Sequence, residues 1–159
     1  MKNKIFIGEF IGSAFLVMVI VGSGIMAQNL TRDFAVMLLA NTLATGAGLF
    51  VLISSIANIS GAHFNPVVTM AMYFTKKIKK DLIVTYISAQ ILGCLLGVML
   101  ANFMFDLPLI ELSRKARPGI NIFIAELIAT FGLIFIIFGS LKNGTVGVAA
   151  SVATYITAG

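Results

Sequence analysis

The chain has 159 residues, 59% of them apolar and only 11% charged, with a mean hydropathy of +1.05. A soluble domain of this size needs far more charge on its surface, so the composition excludes one and marks an integral membrane protein. The net charge of +5 does not point to nucleic acid, because the basic residues cluster in short loops between apolar runs, as they do where a membrane protein sets its orientation.

Ile5 to about Ala27 reads as a first span, preceded by Lys2 and Lys4. It is longer than the apolar part of a signal peptide and carries Glu9 between Gly8 and Phe10, which a cleaved leader has no use for. A polar turn, Gln28 to Asp33, leads to a second span from Phe34 to about Ile56, with small residues throughout. Asn58 to Asn65 reads as irregular, with Ser60 and Gly61 as turn-formers. Asn65 suits a helix N-cap and Pro66 its first turn, so a short helix is predicted from Pro66 to about Phe74. At roughly 14 Å it reaches halfway through a hydrocarbon core about 30 Å thick. Lys76, Lys77, Lys79 and Lys80 end it. They read as an interfacial anchor that can also meet anionic lipid.

A third span runs from Leu82 to about Phe105, with Gly93 and Gly97 in Gly-x-x-x-Gly spacing. The polar loop Asp106–Gly119 carries Arg114, Lys115 and Arg117. A fourth span covers Ile120 to about Leu141, and after Lys142-Asn143-Gly144 a fifth opens at Thr145 and stops at Gly159, short of a crossing. The expectation is a piece of something longer. Lys2, Lys4, the four lysines at 76–80 and Lys142 fall on one side and Arg32, Arg114, Lys115 and Arg117 on the other, which puts the N-terminus in the cytoplasm. That assignment requires the Asn65 segment to enter and leave on one side, as a re-entrant hairpin. The one cysteine, Cys94, lies inside a span, reads as packing and offers no disulfide within the chain.

The first and fourth spans repeat each other. Gly8-Glu9-Phe10 with Gly12 sets beside Ala125-Glu126-Leu127 with Ala129, and Val21-Gly22-Ser23 beside Phe138-Gly139-Ser140. Three spans separate the two starts, so the second copy is inverted, the logic of many transport folds. The first repeat covers about residues 5–105 and the second begins at about 120. The fold expected is an all-α membrane protein, an inverted-repeat helical bundle with about five of six spans and one re-entrant half-helix.

A half-helix starting in mid-membrane exposes the unpaired N–H groups of its first turn and the positive end of its dipole. Such backbone survives only where it is buried in protein or lines a wet cavity. Asn65 can cap that helix with its carbonyl while its amide donates to a passing oxygen. The other account is an N-capped surface helix; the half-span length and the repeat favour the first. Glu9 and Glu126 within spans are either proton relays or acceptors that hold the irregular backbone of re-entrant loops, and their small neighbours favour the second role. His63 reads as a hydrogen-bonding scaffold. No second His and no Cys or Asp cluster stands near it, so no metal or cofactor is expected, and no nucleophile–base pair suggests an enzyme. Gln90 reads as a polar helix–helix contact.

Ser60-Gly61-Ala62-His63-Phe64-Asn65-Pro66-Val67-Val68-Thr69 resembles the first Asn-Pro-Ala loop of the major intrinsic protein family, the aquaporins and glycerol facilitators, with Val67 in place of the usual Ala. The Gly8-Glu9-Phe10 and Ala125-Glu126-Leu127 openings and Ala89-Gln90-Ile91-Leu92-Gly93 resemble other family segments, so the resemblance runs from about Gly8 to Gly159. It implies an aquaporin-like fold and a passive channel for water or small neutral solutes, in a cell inner membrane, assembled as homotetramers. It implies a pore constriction at Asn65, Pro66 and Val67, supported by Gly61, Ala62, His63, Glu9 and Glu126. Counted without gaps, Thr45 falls on the family's filter position in the second helix, where water-specific members resemble one another in Phe and glycerol channels in Trp. The smaller Thr hints at a wider mouth, for glycerol-like polyols or metalloid hydroxides. The Gly93–Gly97 face is compatible with packing between subunits. Two rival readings stand beside this one: a proton-coupled transporter using Glu9 and Glu126, and a chain that, as it stands, conducts nothing.

Overall fold

The computed structural model describes residues 1–111 and 119–159; Arg114, Lys115 and Arg117, which carry part of the orientation argument, lie outside the described residues. Helix α1 (Lys2–Leu30) is 29 residues long and α2 (Phe34–Ser60) 27, each enough for a tilted crossing. Asp33 starts α2, its carboxylate accepting from the N–H groups of Ala35 and Val36 at 2.8 and 3.3 Å. Residues 58–60, expected to be irregular, are the last turn of α2. The helix runs on because Gly61 closes it in the left-handed region (φ 98°), with its N–H on the Ala57 carbonyl. After four more residues, 62–65, α3 (Pro66–Phe74) begins, capped by Asn65 and ended at Thr75, within the predicted bounds.

A 3-10 turn, Lys80–Leu82, opens α4 (Ile83–Met104). Helices α5 (Ile120–Ser140) and α6 (Gly144–Ala158) are joined by a 3-10 turn at Leu141–Asn143 and fold back on each other, so that the Tyr155 hydroxyl donates to the Ala129 carbonyl at 2.9 Å. Among the described residues, four stretches are apolar and long enough to cross a membrane: α1, α2, α4 with its leading turn, and the α5–α6 stretch.

Helix α1 packs on α2 and α4, α2 packs on α6, and α3 lies against α4 and α5. Lys2 pairs with Asp81 at 3.4 Å, so α1 and α4 start at the same end. The C-terminal end of α6 meets the N-terminal half of α2, where the Thr42 hydroxyl donates to the Thr157 carbonyl at 2.8 Å. Helix α6 therefore runs with α1, and α5 runs against it.

The α1–α4 interface revises one expectation. Gly93 and Gly97 do not offer a face to another subunit: a Cβ on Gly93 would strike the Phe10 carbonyl oxygen, and one on Gly97 the Ala14 carbonyl oxygen. The spacing does mark a close approach, but the approach is to α1 of the same chain. Without a hydrophobic drive between helices in lipid, such backbone proximity is what brings dispersion and polar contacts into range.

Candidate functional site

Glu9 is 0% exposed and stands two turns into α1. Its carboxylate accepts four hydrogen bonds: from the Ser60 hydroxyl at 2.7 Å, the His63 N–H at 3.0 Å, the Phe64 N–H at 2.8 Å and the Gln90 amide at 2.8 Å. Its neighbours explain why the loop gets so near. A Cβ on Gly8 would lie 2.9 Å from the Ser60 Cβ, and one on Gly12 would overlap the Phe64 ring. Ala62 and Phe64 hold positive φ, 51° and 48°, a conformation costing roughly 1–2 kcal/mol per non-glycine residue. Charge-assisted hydrogen bonds contribute roughly 1.5–3 kcal/mol each. Those at His63 and Phe64 are enough to hold the backbone there.

The remaining loop donors are also taken: the Gly61 N–H by Ala57 and the Ala62 N–H by the Ser60 hydroxyl at 3.1 Å. No hydrogen bond to the carbonyls of Gly61, Ala62, His63 or Phe64 occurs among the described residues. The 61–64 stretch thus spends its donors on Glu9 of α1 and on the end of α2, and leaves its acceptors over.

Asn65 splits its amide. The side-chain oxygen accepts from the Val67 and Val68 N–H groups at 2.7 and 3.4 Å, which fixes the orientation of the group and frees its NH2. Pro66 occupies the first helical position, where no N–H is needed, and Val67 is exposed. One turn on, Thr69 is 0% exposed. Its hydroxyl donates to the Asn65 carbonyl, and its oxygen accepts from the Gln90 amide and from His63 Nδ1, all three at 3.1 Å. One hydroxyl carries one proton, so its donation to Asn65 makes His63 the donor through Nδ1.

The depth of Asn65 follows from these contacts. Gln90 is roughly 10 Å along α4 from Ile83 and stands level with Thr69. Asn65 lies one turn beyond Thr69, roughly 6 Å further. That puts it about 16 Å from the start of α4, about half the thickness of a core of about 30 Å.

The loop borders a cavity of about 440 Å³. Gly61 to Asn65 line one side; mostly apolar residues of α1, α2, α3, α5 and α6, Leu49 and Ile137 among them, line the rest. Thr45 of α2 also lines the cavity and is 8% exposed. Asn65, His63, Gly61, Ala62 and Thr45 are thus brought to one cavity, with Glu9 behind the loop. Glu126 is not: it is exposed on α5 and makes no hydrogen bond among the described residues.

Tyr86 escaped the sequence reading. Its hydroxyl donates to the Ser60 carbonyl, and its ring stacks on His63 with centroids 4.4 Å apart and planes 15° from parallel. The available signal was its position four residues before Gln90, on the same helix face. Tyr86→Phe is expected to keep the stacking and lose about 1 kcal/mol of stability by orphaning the Ser60 carbonyl. Thermal unfolding in detergent measures it; an unchanged midpoint would show that the carbonyl finds another donor.

The family profile described as Major intrinsic protein matches residues 1–157. An aquaglyceroporin, AqpS of Rhizobium meliloti (strain 1021), is 41% identical over 152 residues, covering 96% of this chain and 65% of that protein. Aquaporin TIP1-1 of Arabidopsis thaliana is 33% identical over 158 residues, 94% of this chain and 63% of that protein. The chain therefore spans somewhat under two thirds of the length of these relatives. The X-ray structure of the aquaglyceroporin from Plasmodium falciparum shares the fold, with a TM-score of 0.83 at 24% identity, over 99% of this chain and 71% of that one.

Proposed function

This chain belongs to the major intrinsic protein family, and from that premise we propose that it lines a passive path for water and small neutral solutes across a cell inner membrane. The relatives named aquaglyceroporin and aquaporin support the solute class. The observation that carries the proposal is the division of labour at Asn65. Its oxygen is spent on α3, and its NH2 is left as a donor at mid-depth beside carbonyls that accept no protein hydrogen bond. A neutral solute that both donates and accepts can exchange its water partners for these at little cost. A cation meets the positive end of α3 and is disfavoured. Asn65, Pro66 and Val67 then form one side of the constriction, and Thr45 sets the width of the far mouth, in favour of polyols or metalloid hydroxides.

The first repeat, about residues 5–105, supplies this side; the second, opening at about 120, supplies the opposite one. Glu126 is the second repeat's equivalent of Glu9, placed to hold a second re-entrant segment. The N-terminus is cytoplasmic, and the subunits assemble as homotetramers with a path in each.

Proteoliposomes of the full-length protein test the reading. Stopped-flow shrinkage and swelling is expected to show glycerol or water flux that rises linearly with the gradient and carries no current. Asn65→Asp keeps the capping oxygen and removes the donor, and is expected to cut flux on the order of tenfold. A proton current comparable to the solute flux would overturn the proposal in favour of a coupled transporter. Against that alternative stands Glu9 itself: a proton arriving there has to displace one of four donors.

A further inference from the structure

We propose that the turn following α3 is a docking surface for anionic phospholipid headgroups of the leaflet it borders. Lys76, Lys77, Lys79 and Lys80 are all exposed, and Lys2 and Lys4 stand at the same end of the bundle. Asp81 is the acidic residue beside them, and its partner is Lys2. The four turn lysines and Lys4 make no ion pair among the described residues.

The turn is built, not a loose tail. Lys76 holds φ 60°, and three backbone bonds close the chain behind it: Lys76 N–H to the Tyr73 carbonyl at 2.9 Å, and Lys77 and Ile78 N–H to the Met72 carbonyl at 2.8 and 3.3 Å. Ile78, between the lysine pairs, packs on a small cluster of Ile5, Leu82 and Tyr86 and so pins the turn to α1 and α4. The lysines are therefore held at the level where two membrane-spanning helices begin, the level of lipid phosphates. Beside them Phe74 is 73% exposed, an aromatic ring placed for the headgroup–acyl boundary. Fixed cations, an apolar ring and the position at the helix starts together match an anionic phospholipid; a soluble acidic partner would use the charge and leave Phe74 in water. The inference rests on the membrane-spanning fold alone and not on what the path carries.

Each lysine near an anionic surface is worth about fivefold in association. The test uses the full chain in phosphatidylcholine bilayers, with spin-labelled phosphatidylglycerol compared against spin-labelled phosphatidylcholine as the lipid next to the protein. The expected result is a phosphatidylglycerol preference of about fivefold or more at low salt. It should collapse towards equality in about 1 M salt, where the screening length is about 3 Å. It should be lost in the K76Q/K77Q/K79Q/K80Q variant and kept in Lys142→Gln. A preference that survives the fourfold substitution, or one indifferent to salt, overturns the proposal. Should the fourfold variant fail to insert, the salt series on the unaltered chain decides alone.

Discussion

Glu9→Ala is expected to unseat the 61–64 loop while leaving α1, α2 and α4 in the membrane. Four donors lose their acceptor at once, in a place 0% exposed. A buried group left without a partner costs roughly 1–3 kcal/mol, so the loss is at least about 4 kcal/mol, a large share of a typical domain's total stability. Glu9→Gln sharpens the point. It keeps the shape and one accepting oxygen, but sets an NH2 against two of the donors, each then unpaired at roughly 1–3 kcal/mol. Unfolding in detergent, followed by circular dichroism, measures both. A Glu9→Gln variant as stable as the parent would show that the loop is held by Phe64 against Gly12 and by Tyr86, and that the carboxylate is free for another task.

The double replacement Gly93→Ala with Gly97→Ala should be as damaging for a different reason. Each new Cβ meets a main-chain carbonyl oxygen of α1, which no rotamer change can move aside. The helices must separate, at roughly 1–3 kcal/mol per site. Gln90 lies one turn before Gly93, so separation also pulls its amide off Glu9. The effect should therefore be less than additive with Glu9→Gln, because both remove the same bond. Gly139→Ala is the control. A Cβ there meets nothing within 4 Å, and in a helix interior alanine is worth up to about 1 kcal/mol over glycine. Equal destabilisation at all three sites would mean that the α1–α4 approach is not the cause.

These two sites show what local chemistry discloses and what it withholds. The limits of α3 are legible because Asn65, Pro66 and the lysines after Phe74 act on the backbone within a turn of themselves. Glu9 stands out because a carboxylate within a span has to be explained by something. The partners of these residues lie far off in sequence, and nothing nearby names them. Gly93 and Gly97 announce a close neighbour without saying which: a face compatible with packing between subunits lies against α1 of the same chain. Tyr86 carries no local mark of its role; only folding brings its hydroxyl to Ser60, 26 residues away. The turn-formers Ser60 and Gly61 suggest a loop from Asn58, whereas only Gly61, with its free choice of φ, stops α2.

The wide spacing of the bonds at Glu9 also bears on how the protein is made. The His63 and Phe64 amides follow it by 54 and 55 residues, and Gln90 by 81. At ribosomal speeds of about 5–20 residues per second, Glu9 waits roughly 4–16 s for its last donor. Until residues 60–64 follow it, Glu9 lacks every one of these donors, a burden that the mean hydropathy of 2.3 over the most apolar stretch of α1 helps it to bear. The constriction is consequently a late assembly. It is complete only when α4 has come beside α1, and a nascent chain stalled before Gln90 would lack the amide that ties Glu9 to Thr69.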